Sequence, residues 1–213
     1  MKIYELQSAP NPLKVSMFLI EKQLEVKKIQ IDVRNRENLD ATFLSLNPKY
    51  TVPCLVTSDG LVITESIAIC RYFEAKKPLP FLFGKTPQQI GKIEMWQRKI
   101  DFEGYQSVME SLRNTAKRFV NRAVPDNRVT QQISELGPRG KMLTERFIED
   151  MEENLNNNVY VAGKSFSIAD ISFYILLYFA DWISVKPSLK QINIRRWIKL
   201  IEKRKSAQFV NKI

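Results

Sequence analysis

Glu65-Ser66 directly follows an apolar strand pattern and opens a helical one. A helix start there sets unpaired backbone N–H groups, the positive end of the helix dipole and a serine hydroxyl side by side. Such a corner suits a carboxylate ligand, although the same residue types would also serve as a plain N-cap with an acidic first turn. The chain contains no histidine, which excludes Ser-His-Asp and Cys-His catalysis and His-ligated metals. Its two cysteines, Cys54 and Cys70, lie in apolar neighbourhoods without Cys-x-x-Cys spacing and read as small buried hydrophobes. Chemistry is left to hydroxyls, amides, carboxylates, cations or a substrate's own thiol, and no metal or resident cofactor is expected.

The elements that would position these groups alternate strand and helix over the first eighty residues. Lys2–Leu6 reads as a strand, residues 11–24 as a helix, residues 25–33 as a strand with Val26 out of step, and residues 39–46 as a short helix. Residues 52–57 and 61–64 form two strands around the turn Ser58-Asp59-Gly60, and residues 65–76 the next helix. The order β-α-β-α-β-β-α is that of an α/β thioredoxin-like domain, placed at residues 1–77, with a Pro-rich linker at 78–86.

Residues 87–213 read as an all-helical domain. Ile90, Ile93, Trp96, Ile100, Gly104, Val108 and Leu112 form one face of a long helix, where Gly104 suggests close approach of another backbone or room for a ligand. A second helix is expected over residues 130–155. In Phe166-Ser167-Ile168-Ala169-Asp170-Ile171, Ser167 and Asp170 have capping-box spacing with Phe166 and Ile171 as staple, so Asp170 is expected to be structural. The helix that follows is apolar nearly all round.

Four segments carry a resemblance over essentially the whole chain: Ser8-Ala9-Pro10-Asn11-Pro12-Leu13-Lys14-Val15, Asn47-Pro48-Lys49-Tyr50-Thr51-Val52-Pro53, Thr64-Glu65-Ser66-Ile67-Ala68-Ile69, and Phe166 to Asp170. Together they resemble the cytosolic glutathione transferase superfamily, and Pro10-Asn11-x-x-Lys14-Val15 is similar to bacterial members related to the yeast nitrogen-regulatory prion protein. The resemblance implies the glutathione transferase fold and glutathione as substrate. It implies a cis peptide before Pro53 that turns the Val52 backbone toward the cysteinyl unit, with Glu65 and Ser66 holding the γ-glutamyl end. Lys49 would meet the glycyl carboxylate, with Lys14 the weaker choice as a solvated helix lysine. Near the first helix the family places tyrosine, serine, cysteine or asparagine at the sulfur. Here Asn11 is the first choice, Ser8 the second, and Tyr4 is expected to pack. Tyr50 stands where glycine is common, which would narrow the entrance or alter the loop.

The implied activity is attack of the glutathione thiolate on a hydrophobic electrophile or a peroxide. The alternatives are a glutathione-dependent disulfide reductase and a non-catalytic interaction module. Tyr105, Val108, Met109 and Leu112 are candidates for the acceptor pocket, although core packing would use the same residue types. A homodimer is expected, with Asp101 approaching the neighbour's site. Binding and activation, lying on different motifs, are expected to fail separately on mutation. The net charge of +10, from 33 Lys+Arg against 23 Asp+Glu, suits anionic partners, and its densest run is Arg195 to Lys205. No aromatic-interleaved basic motif, apolar span or signal segment appears, so the expected partners include neither nucleic acid nor membrane, and the expected location is cytoplasmic.

Overall fold

The computed structural model describes all 213 residues except Arg34 and Asn127. It divides into two units: Met1–Pro80 with Pro125–Arg128 and Lys205–Ile213, and Phe81–Val124 with Val129–Arg204. The last nine residues therefore belong with the first unit, unlike the expected helical domain 87–213.

The first unit is a thioredoxin-like mixed sheet. Its strands are β1 (Lys2–Glu5), β2 (Lys27–Gln30), β3 (Cys54–Val56) and β4 (Val62–Thr64), in the order β2-β1-β3-β4. β1 runs parallel to β2 and antiparallel to β3, with Tyr4 opposite Cys54, and Cys54 in turn faces Thr64 of the antiparallel β4. This register brings the end of β1, the start of β3 and the end of β4 to one end of the sheet. β2 is shorter than the alternation suggests. It is an edge strand whose Lys27, Lys28 and Gln30 are exposed, so only the β1 pairing defines it.

Helices α1 (Pro10–Glu21) and α3 (Ser66–Lys76) pack against each other, and both begin where those strand ends meet. α2 is confined to Ala41–Leu46, because the extended Asp40 separates it from a single 3-10 turn at Glu37–Leu39. At the other end of α1, Lys22 is fully buried and donates to the carbonyls of Lys77 (3.0 Å), Pro78 (2.8 Å) and Pro80 (2.5 Å) while pairing with Glu74. A buried ammonium is tolerable only with such partners. It ties the C-terminal ends of α1 and α3 together. The C-terminal helix α9 (Lys205–Val210) also packs on α1, where Ser206 donates to Glu21 at 2.5 Å and Lys28 lies 5.6 Å from the Phe209 ring centre.

The second unit is all helical, as expected. The long helix is interrupted: α4 (Pro87–Lys99) and α5 (Gln106–Thr115) are joined by a π-helical segment, Ile100–Tyr105. Gly104 lies in that segment, and a Cβ there would stand 2.4 Å from Leu176 Cδ2 and 2.9 Å from Phe147, so side chains fill the expected space. Close backbone approach occurs instead at Gly140, where a Cβ would meet the Ser107 carbonyl at 2.5 Å. α6 spans Leu136–Asn156, not residues 130–155. Pro138 fits only a first turn, and Thr130 is instead bridged to Arg122.

Asp170 organises the next helix, α7 (Ile168–Ala180). Its carboxylate accepts from the Ser167 N–H (2.9 Å), the Ser167 hydroxyl (3.0 Å), the Val161 N–H (2.9 Å) and the Trp197 indole N–H (2.9 Å). The capping box read from Ser167 and Asp170 is present and also binds α8 (Ile192–Ile201) through Trp197. Burial still pushes the Asp170 carboxyl up to about 6, against the lowering effect of its donors.

Candidate functional site

Both helix starts at the shared end of the sheet are open. α1 has the extended Ala9 as N-cap, with no side-chain cap and no acid in its first turn. Pro10 and Pro12 lack N–H groups, so the Asn11 N–H, which has no intrahelical acceptor, and the Asn11 carboxamide are the donors of that opening. Asn11 is exposed, and Ser8 lies half-buried in the turn before it.

The start of α3 is similar. Glu65 is its N-cap, but its side chain makes no capping bond and the first turn holds no acid, so the plain capping alternative is not realised. Its backbone is left-handed, with φ 69°, a conformation that costs a non-glycine residue about 1–3 kcal/mol and tends to mark functional positions. Ser66 is buried, and its hydroxyl donates to the Asn11 Oδ1 at 3.4 Å. That distance is long for an O–H···O bond, so a ligand can take the hydroxyl at little cost. The residues expected to bind and to activate are therefore neighbours, which revises the expectation that they fail separately.

Val52-Pro53 is cis and leads directly into β3, so the Val52 backbone stands at the same end of the sheet. The loop before it is braced by two amides. Asn47 donates to the Thr51 carbonyl (2.8 Å) and accepts from the Lys49 N–H (3.1 Å), and Asn38 donates to the Tyr50 carbonyl (3.1 Å). Tyr50 is buried with φ 48°, a left-handed backbone that glycine adopts freely, so its ring packs inward at a position whose backbone suits glycine. Lys49 is exposed on the loop. The bracing Asn38 escaped sequence reasoning, because a lone asparagine in a polar stretch carries no pattern.

Lys14 is a correction. Instead of being solvated it is buried, with its charge beside the Cys70 thiol, and so is not displayed to a ligand. A helix position reads as exposed only while the opposite face is the buried one, and α1 is buried from Pro12 to Leu19. Burial pushes the Cys54 thiol up to about 11 and raises Cys70 further, so both are protonated at neutral pH. Tyr4 packs edge-on against Phe43, with ring centres 5.8 Å apart.

In the second unit Val108, Leu112 and Tyr105 are buried, and Tyr105 stacks on Phe179 at 5.8 Å. Met109 is half-buried. Burial and the nearby Asp101 hold the Tyr105 hydroxyl well above its usual range. Asp101 itself accepts from Gln97 (3.0 Å), whose carbonyl oxygen accepts from Ser172 (2.8 Å). Among the described residues no three His, Cys, Asp or Glu side chains gather as a metal site, and no helix is long and apolar enough to cross a membrane.

Residues 9–76 match the family model for the glutathione S-transferase N-terminal domain. Over its full length the chain is similar to a Gtt2-class glutathione S-transferase of Vibrio parahaemolyticus, 31% identical with a TM-score of 0.83, covering 99% of this chain and 97% of that one. The chain belongs to the glutathione transferase superfamily. It is also similar to the crystal structure of Gtt2 from Saccharomyces cerevisiae, with 29% identity, a TM-score of 0.89 and coverage of 99% and 100%. Glutathione S-transferase 2 of the same yeast is 29% identical, over 98% of this chain and 88% of that protein. The open α1 and α3 starts and the cis Val52-Pro53 all lie within, or at the edge of, the segment matched by the family model.

Proposed function

We propose that this protein is a glutathione transferase that binds glutathione at the shared sheet end of its first unit and stabilises the thiolate there. The observation that carries the reading is the contact between Ser66 at the start of α3 and Asn11 at the start of α1. It sets an anion-binding corner directly beside the amide group suited to the sulfur. The uncapped start of α3, with the buried Ser66 hydroxyl, takes the γ-glutamyl carboxylate, and the Glu65 carboxylate takes the ammonium. The Val52 backbone N–H and C=O pair with the cysteinyl unit as an added strand would. Lys49 receives the glycyl carboxylate.

At the sulfur, hydrogen bonds favour the ionised form. The Asn11 carboxamide and N–H supply them, with Ser8 as second donor. Attack then falls on an electrophilic or peroxidic acceptor. Glutathione is a substrate rather than a resident cofactor. A role as a disulfide reductase would also need no protein thiol, since Cys54 and Cys70 are buried and protonated. Purified protein assayed with glutathione and chlorodinitrobenzene, and separately with a mixed disulfide, should be active with the first acceptor. Activity confined to the disulfide favours the reductase, and inactivity with both favours an interaction module. The active form proposed is a homodimer in which Asp101 approaches the neighbouring site, and a monomeric mass by light scattering at micromolar concentration would refute it.

A further inference from the structure

The segment Lys186 to Arg204 of the second unit holds seven Lys and Arg residues and one acid, Glu202, and so carries more than half of the net charge of +10. Its helix α8 buries one stripe, Ile194, Trp197 and Ile201. Ile192, Arg195, Lys199 and Lys203 recur at helical spacing and, with Arg196 and Leu200, line a shallow groove of about 440 Å³. Arg196 is committed to the carbonyls of Leu155 (2.7 Å) and Asn158 (2.9 Å). Among the described residues Arg195, Lys199 and Lys203 have no ion pair or hydrogen-bond partner for their side chains. At the head of this face stand two strongly exposed apolar side chains, Leu189 at 78% and Ile192 at 68%.

We propose that this face docks the protein on the surface of an anionic phospholipid bilayer. Cations held without partners around a groove match headgroup phosphates, and apolar side chains among them can enter the boundary between headgroups and acyl chains. A nucleic acid would use the cations but leave Leu189 and Ile192 idle. The single aromatic residue of α8, Trp197, is fully buried and offers no stacking surface for bases. A protein partner needs roughly 800 Å² on each side, more than a ten-residue helix face about 15 Å long presents. The contact is peripheral and independent of the glutathione site. The expectation of no membrane partner rests on the lack of an apolar span, which a surface contact does not require.

Flotation of the full chain with vesicles tests this. Binding to mixed phosphatidylcholine and phosphatidylglycerol vesicles, but not to phosphatidylcholine alone, is expected at low salt, and it should fade as salt shortens electrostatic reach from about 10 Å at 0.1 M to about 3 Å at 1 M. K199Q/K203Q should lower partitioning about thirtyfold, at roughly a factor of five per charge. L189S/I192S, with charge unchanged, should lower it about tenfold. All four positions are exposed, and unaltered thermal unfolding of the variants checks that the fold is kept. No binding to anionic vesicles, or binding indifferent to K199Q/K203Q, overturns the proposal. So does binding that ignores L189S/I192S and is fully competed by duplex DNA, since the face would then be a site for any polyanion.

Discussion

Ser66 and Asn11 hold the tightest constraint on the chemistry, because the structure makes them neighbours. The loss of Ser66 removes a hydroxyl donor to a charged carboxylate, worth roughly 1.5–3 kcal/mol, so Ser66→Ala should weaken glutathione binding about tenfold or more. Asn11→Ala should also weaken it, by about two- to fivefold: once the ligand takes the Ser66 proton, the neighbouring Asn11 carboxamide can turn to donate its N–H to the Ser66 Oγ, and that support disappears. Their double variant should then lose less than the two single losses combined, with a coupling of about 0.5 kcal/mol or more by calorimetric titration. Strict additivity would mean that the 3.4 Å contact has no part in the bound state. Glu65 belongs to the same scale. Its left-handed backbone is strain that no sequence pattern announces, because a Glu before a Ser at a helix start looks like ordinary capping.

Among the elements, α7 shows how a short motif can be read correctly and still be larger than it looks. Ser167 and Asp170 have capping spacing, and the box is there, but the same carboxylate also takes Val161 and the Trp197 indole, which lies 27 residues away and has no local signature. Burial raises the Asp170 carboxyl to about 6, above its ordinary 3.8, so the folded chain holds an extra proton between those values. The contribution of this group to stability is therefore largest in acid and declines as pH rises through about 6. Asp170→Asn abolishes that titration and leaves one acceptor oxygen for four donors. It should cost about 3 kcal/mol or more of stability, and the penalty should be about 2 kcal/mol larger at pH 4.5 than at pH 7 by denaturant unfolding. A penalty independent of pH would show that Asp170 does not titrate in that range. The other element boundaries follow single residues: Pro138 sets the start of α6, and Asp40 separates α2 from the turn before it. The hydrophobic period of the long helix gives no sign of the π-helical turn at Ile100–Tyr105, because a local change in helical winding leaves the residue types unchanged.

For the whole molecule, the order of strands and helices up to Lys76 was legible from alternation and turn residues alone, since each short element must expose one face and bury the other. The return of Lys205–Ile213 to the first unit was not, because nothing in that segment distinguishes its partner α1 from any other apolar surface. Lys14 and Lys22 were misread or missed for a related reason: their burial depends on what α3 and the residues after it bring, which is set by tertiary packing. The central claim is that the first unit binds glutathione and ionises its thiol. It is tested most directly by following ultraviolet thiolate absorbance of bound glutathione against pH in the wild type, Asn11→Ala and Ser8→Ala. The wild type should titrate at least about one unit below the roughly 8.5 of a free thiol, and Asn11→Ala should return most of that shift. A shift in Ser8→Ala alone would transfer the role to Ser8, and a wild-type midpoint equal to that of free glutathione would contradict the account.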